Sequence, residues 1–180
     1  MTSLRHHLTT LAALLGGAAY IVLGAIQATH EFEGSHNTLD TTAEYIVTGG
    51  FGLALFLTAP AYRVLGALAD RPRVGVIAMV PQLVIGVMCV ISVLNGADPS
   101  FFNAVAPVCI LTWLVSSIVL GVRLRRSGAV PAAVAVAVPA LLITTIGLSV
   151  IGGAMITGAF WMAVASHVLR EGRAAQPALA

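Results

Sequence analysis

Hydrophobic residues run along this chain in blocks of roughly twenty, and polar residues are confined almost entirely to the gaps between blocks. A helix needs about 20 apolar residues to cross a ~30 Å hydrocarbon layer. Six such blocks can be laid down. The first is Leu8 to Thr29, the second runs from near Ala43 to near Ala69, the third from Val74 to Leu94, and the fourth from about Phe101 to Leu124. From Ala129 to Leu169 the apolar stretch is too long for one tilted helix and suits two joined by a tight turn, for which Gly147 to Gly153 is the natural place. The pattern predicts an all-α polytopic bundle of six transmembrane helices. Residues 1–170 form one membrane domain and residues 171–180 a short tail.

Local signals mark the ends of these blocks. Thr41-x-x-Glu44 has the form of a capping box, in which the threonine side chain accepts from the glutamate N–H and the glutamate side chain accepts from the threonine N–H. Asp98-Pro99 reads as N-cap and first helical residue of the fourth span, with Phe101 and Phe102 as interfacial anchors, and Pro131 opens the fifth. Pro60, Pro81, Pro107 and Pro139 fall inside spans two to five, where each removes a backbone hydrogen bond and kinks its helix. Ala12, Gly16, Tyr20 and Gly24 recur every four residues in the first span, as do Ala154 and Gly158 in the sixth. Close helix approach is expected along both, so these helices are read as neighbours or as faces for a homo-oligomer.

Composition agrees with the pattern. The chain is 58% hydrophobic and 9% charged, with a mean hydropathy of +0.97, against about 25% charged residues in soluble domains. The lipid bilayer is the expected surrounding. Met1 to His7, carrying Arg5, followed by an apolar run has the shape of a signal peptide, but the run continues well past a cleavable core of ~7–15 residues and is read as a retained first span. A net charge of +2 and the lack of any lysine argue against a nucleic-acid surface. Arginine has another use. With both termini on one side, Arg5, Arg71, Arg73, Arg123, Arg125, Arg126, Arg170 and Arg173 gather there, and Arg63 can snorkel to the same face. The positive-inside rule makes that side cytoplasmic, so the chain is expected to be a multi-pass protein of the cell membrane with both N and C termini cytoplasmic.

Candidate chemistry lies at the other end. Four of the seven carboxylates and two of the five histidines fall within residues 30–44. His30, Glu31, Glu33 and His36 are ligand types that a divalent transition metal accepts, provided Gly34-Ser35 turns the chain so that the two histidines converge. The simpler alternative is a solvated acidic loop. Tyr20, Gln27 and Glu31 share one helical stripe that leads from mid-membrane to this mouth, and Gln82 adds a second buried amide, so Tyr20, Gln27, Glu31, Glu44 and Gln82 are the candidate ligand-binding groups. Gln27 is also explained as an interhelical hydrogen-bonder, and Gln82 as a partner for the carbonyl that Pro81 frees. His7 and His167 at one depth suggest haem axial ligands, yet a histidine at a helix end is explained by dipole and solvent alone.

No phosphate loop, Gly-x-Ser-x-Gly elbow or HExxH motif occurs. The leading function is binding or transport of a small solute or ion through the outer mouth. One rival is a membrane-embedded acid–base enzyme acting on an isoprenoid or lipid, with Glu31 and Glu44 as its carboxylates. The other is a non-catalytic assembly or immunity subunit. Cys89 and Cys109, each ten residues from Pro99, should lie at similar depth as free apolar fillers.

The arginine distribution makes a prediction about sidedness. In a background lacking Cys89 and Cys109, Ser35→Cys and Ser127→Cys should react with an impermeant thiol reagent from opposite faces of the membrane. Reaction of both from the same face rules out the six-span topology.

Overall fold

A computed structural model describes residues 2–30, 38–148 and 151–174, with side chains for residues 7–30, 38–148 and 151–167. The described chain is helical, and its one extended pairing is an isolated antiparallel bridge between Thr38 and Ala97. Six helices follow one another: α1 (Thr2–Thr29), α2 (Thr42–Leu68), α3 (Pro72–Asn95), α4 (Phe102–Ser127), α5 (Ala132–Leu142) and α6 (Ala154–Ala174). A π-helical segment, Ile143–Gly147, continues α5. The first four helices are long and apolar enough to cross a membrane, whereas Ala132–Gly147 forms a shorter apolar helix.

Unlike a water-soluble bundle, this one is apolar on its surface as well as in its core. Large apolar residues face outward, as on α4 with Val108, Leu111, Val115, Ile118 and Val122 at three- and four-residue spacing. The interior holds Thr58, Gln82, Ser92, Ser116, Ser117, Thr145 and Thr157, all buried. Apolar outside with small polar residues inside is the pattern of helices solvated by lipid, where outward polar groups are costly and interhelical hydrogen bonds are kept within the bundle.

Consecutive helices pack antiparallel, and α1 returns to α6 to close the ring. Gly17 of α1 and Gly158 of α6 lie backbone to backbone: a β-carbon on Gly17 would stand 2.8 Å from the Gly158 carbonyl oxygen, and one on Gly158 would fall onto the Gly17 carbonyl. Further along the same pair of elements, Gly24 meets Gly152 and Met155. The expected adjacency of the first and sixth helices is therefore found. Gly16 serves a different contact, lying against Thr58, Leu57 and the Ala54 carbonyl of α2, so the four-residue stripe of α1 divides between two partners.

Helix α2 opens with the expected capping box. Thr41 Oγ1 accepts from Glu44 N at 3.2 Å, and Glu44 Oε2 accepts from Thr41 N at 2.8 Å and from Asp40 N at 2.6 Å. At its other end Ala69 caps the helix and Asp70 takes a left-handed φ of 53°, with Asp70 N donating to Ala67 O and Arg71 N to Gly66 O. This is a Schellman closure with aspartate in the position glycine usually fills. Pro72 then starts α3, and Gly66 and Gly75 bring the two helices into backbone contact at the turn.

Helix α4 departs from expectation at its start. It begins at Phe102, capped by Phe101 without a side-chain hydrogen bond, and Phe102 N donates to Pro99 O at 2.8 Å. Asp98 is not its N-cap. The carboxylate instead accepts from Ser92 Oγ of α3 at 2.6 Å, because Gly96 at a φ of 67° turns the chain back over the end of α3. The same reversal exposes the Gly96 carbonyl, which accepts from Leu39 N at 2.8 Å and ties the α1–α2 connection to the α3–α4 connection.

Two features of α5 explain its geometry. Pro139 withholds the N–H that would reach Ala135 O, and Gly121 of α4 packs against that carbonyl, so its α-hydrogen occupies the site of the missing donor. Past Leu142 the chain widens into the π-helical turn. Thr145 Oγ1 donates to Leu141 O at 2.5 Å, and Thr144 and Thr145 each lie 2.7 Å, oxygen to oxygen, from Thr157 of α6. The turn between α5 and α6 falls after Gly147, where the glycines placed it.

Antiparallel packing brings Arg63, Arg71, Arg73, Arg123, Arg125 and Arg126 toward one end, together with the start of α1 and the end of α6. Glu44 and Asp98 lie at the opposite end.

These contacts set the cost of two substitutions. Glu44→Ala removes the carboxylate that accepts from Asp40 N and Thr41 N, and should destabilise the protein by about 0.5–2 kcal/mol, read as a lower midpoint in denaturant titration of detergent-solubilised protein. Gly158→Leu places a side chain where the α1 backbone lies and should cost at least ~1–3 kcal/mol. The same change at Gly128, where a β-carbon would meet open space but φ is 67°, should cost only backbone strain of about 1–2 kcal/mol. A Gly158→Leu protein as stable as wild type contradicts the backbone contact with α1.

Candidate functional site

A cavity of about 400 Å³ opens between the helices at the carboxylate-bearing end. Helix α2 contributes Val47, Thr48 and Phe51; α3 contributes Ile85, Cys89 and Ser92; and α4 contributes Phe102, Ala106 and Ile110. Gln27 of α1 and Thr145 and Ile146 of the π-helical turn complete the wall, with Leu39 and Asp98 from the two tied connections at the rim. The helical periodicity explains these contributions: Ile85, Cys89 and Ser92, like Phe102, Ala106 and Ile110, recur at three- and four-residue intervals on single helix faces.

The wall is mostly apolar, with a few polar groups placed at separate points. Asp98 is held by Ser92, whose hydroxyl also lies 3.0 Å from Met88 O. Among the described residues no basic side chain forms an ion pair with Asp98. Gln27 has its Oε1 buried with no hydrogen-bond partner among the described residues. Thr145 is committed to Leu141 O and Thr157, a fixed part of the wall. Polar groups on the wall with capacity left for a guest include the Asp98 carboxylate, the Gln27 amide, the Thr48 hydroxyl and a lone pair of Ser92 Oγ.

Beneath the cavity the bundle is filled. Tyr20 meets Phe51 edge to face, with ring centroids 6.1 Å apart. Deeper still, Trp113 Nε1 donates to Tyr62 Oη at 3.1 Å, and the Tyr62 ring packs edge to face on Trp161 at 5.2 Å. Tyr20, Tyr62, Trp113 and Trp161 are each at most 2% exposed, so helices α1, α2, α4 and α6 meet in a solid aromatic layer.

The structure separates groups that share a stretch or a stripe in the sequence. Gln27 is on the cavity wall, whereas Tyr20 stands behind Phe51 and Glu44 is occupied by the helix cap. Gln82 is buried one turn below Ile85 and away from the wall; its Nε2 donates to Ala78 O at 2.9 Å, one residue past the Ile77 carbonyl that Pro81 frees, and its Oε1 has no partner among the described residues. His30 is exposed at the end of α1, near Thr29 Oγ1 at 3.4 Å. Glu31, Glu33 and His36 lie outside the described residues, so the expected metal cluster and the Glu31–Glu44 pair are each described only in part. Among the described residues no group of three His, Cys, Asp or Glu side chains gathers. At the arginine end His7 is exposed and His167 is half-buried.

Asp98 and Ser92 are the site residues that sequence reasoning missed. The Asp-Pro pair reads as a helix start, and the signal against that reading is Asn95-Gly96, a helix stop that leaves room for the chain to fold back before Pro99. Cys89 and Cys109 are both free and buried, and Cys89 shares the cavity wall with Ile110, the neighbour of Cys109. Compared with known proteins, the chain matches no family model, no curated protein and no solved structure, so the functional reading rests on this geometry.

Proposed function

We propose that this is a multi-pass protein of the cell membrane, with both termini cytoplasmic, that binds a small solute in the cavity at its outer end. The observation that carries the proposal is a roughly 400 Å³ space, lined by apolar side chains, in which Gln27 Oε1 is buried without a partner among the described residues. Pockets for small molecules are of this size and character, with few polar groups that fix orientation. A buried carbonyl oxygen left without a donor costs about 1–3 kcal/mol, which a bound donor would recover.

Four helices suited to crossing a membrane, the lipid-like outer surface and the segregation of arginine support the location. The aromatic layer below the cavity favours binding from one side over a standing permeation path. Transport would require α1, α2, α4 and α6 to separate at Tyr62, Trp113 and Trp161 in a second conformation. An acid–base enzyme is less well served, since Glu44 is spent on the cap of α2 and Asp98 is the one described carboxylate at the cavity.

Cys89 provides the test. In a Cys109→Ala background, a small impermeant thiol reagent should modify Cys89 from the outer face and not from the arginine face, and Ala106→Phe, which fills the cavity, should slow the reaction at least about tenfold. Modification from both faces would replace the closed pocket with a continuous path. Failure of Ala106→Phe to slow modification, or absence of modification from the outer face, would overturn the pocket.

A further inference from the structure

We infer that the solute held in this cavity is a small amphiphilic amine, bound as its ammonium ion with the charge at Asp98 and the apolar body directed inward. The inference rests on the pocket proposed above and adds the charge and the orientation of its occupant.

Charge complementarity carries it. Asp98 lies on the rim with one oxygen engaged by the Ser92 hydroxyl, and among the described residues no cation is paired with it. Described arginine side chains are all directed to the other end of the bundle, more than a Debye length of about 8 Å away across several helical turns. Among the described residues the carboxylate is therefore an uncompensated negative charge over an apolar space. An anionic guest would be repelled there, and a neutral one would leave the charge unpaired. A bare metal ion is poorly served as well, because a hard divalent cation takes about six or more oxygens and no cluster of three ligand side chains is present among the described residues.

An ammonium group needs less. Its three N–H donors are met by Asp98 and by the lone pair that Ser92 retains, with water at the rim for the remainder. Phe102, at the start of α4, adds aromatic surface to the cavity wall. Further inside, Ile85, Ile110 and Ile146 offer apolar surface for the body of the guest, and Gln27 Oε1 accepts from any second donor it carries. Placing the charge at the rim and the hydrocarbon inside is the one orientation that avoids burying an ion away from its counter-charge. The volume suits a single small molecule and is too small to enclose a two-chain lipid.

Three probes of one shape test this: 3-phenylpropylamine, 3-phenylpropanol and 3-phenylpropanoate, titrated calorimetrically into the full chain in a non-ionic detergent at neutral pH. The amine should bind at least about tenfold more tightly than the alcohol, the increment expected of a charge-assisted hydrogen bond, and the carboxylate should not bind detectably. Asp98→Asn should remove the preference for the amine over the alcohol, and alcohol binding that stays measurable shows that the variant folds; Asp98→Glu should keep the preference. Ala106→Phe should abolish binding of both. If all three probes bind equally to wild type and Ala106→Phe blocks them, the charge assignment is overturned and the pocket stands. If amine binding persists in Ala106→Phe, the site is elsewhere and the pocket itself is overturned. If no probe binds, the amine assignment is overturned, and the accessibility of Cys89 decides the pocket separately.

Discussion

The backbone contact between Gly17 and Gly158 closes this protein. Lipid offers no hydrophobic gain for pressing two apolar helices together, so association depends on how closely their backbones approach and on the hydrogen bonds made between them. With the first and last helices in contact at glycine, α2 to α5 complete a ring, and the interior is narrow enough for Tyr62, Trp113 and Trp161 to fill it. The same economy recurs at Gly66 and Gly75 between α2 and α3, and at Gly121 against the carbonyl that Pro139 frees. Each approach uses the absence of a side chain to bring a polar backbone near a neighbour that tolerates it.

At the carboxylate-bearing end α1 and α6 remain close, with Gly24 against Met155 and Gly152, and the cavity there is bordered by two irregular segments. One is the π-helical turn at Ile143–Gly147, fixed to α6 by the Thr144, Thr145 and Thr157 hydroxyls. The other is the pair of connections joined by Leu39 N and Gly96 O. Irregular backbone is tolerated at a membrane boundary only where protein groups or water satisfy it, and here side-chain hydroxyls and a cross-loop hydrogen bond do so. Three of the polar groups of the cavity come from these irregular parts or their margins: Asp98 from the reversal over α3, Ser92 from the last turns of α3 and Gln27 from the last turns of α1.

The sequence by itself determined the helices and their order, because the cost of leaving backbone polar groups unsatisfied in lipid allows a long apolar run little other choice. Hydropathy located α2 to α4 within a few residues and the end of α1, whose helix starts at Thr2, before the apolar run; glycine marked the break after Gly147, and Thr41 and Glu44 disclosed the start of α2 through a local reciprocal cap. Small residues at helical spacing marked α1 and α6 for close approach, either to each other or in an oligomer; Gly24 and Gly158 pack between the two helices, together with Gly17, which lies off that stripe. Tertiary structure decided the site. A stripe such as Tyr20 and Gln27 shows which residues share a helix face but not the depth at which neighbours fill the space beside them, so Gln27 reached the cavity while Tyr20 was covered by Phe51. The pattern could not separate a carboxylate that caps a helix, as at Glu44, from one turned back onto the preceding helix, as at Asp98, since that turn depends on Gly96 adopting a left-handed conformation and on Ser92 lying beneath it. Contacts distant along the chain made that choice, and periodicity records only contacts that are local.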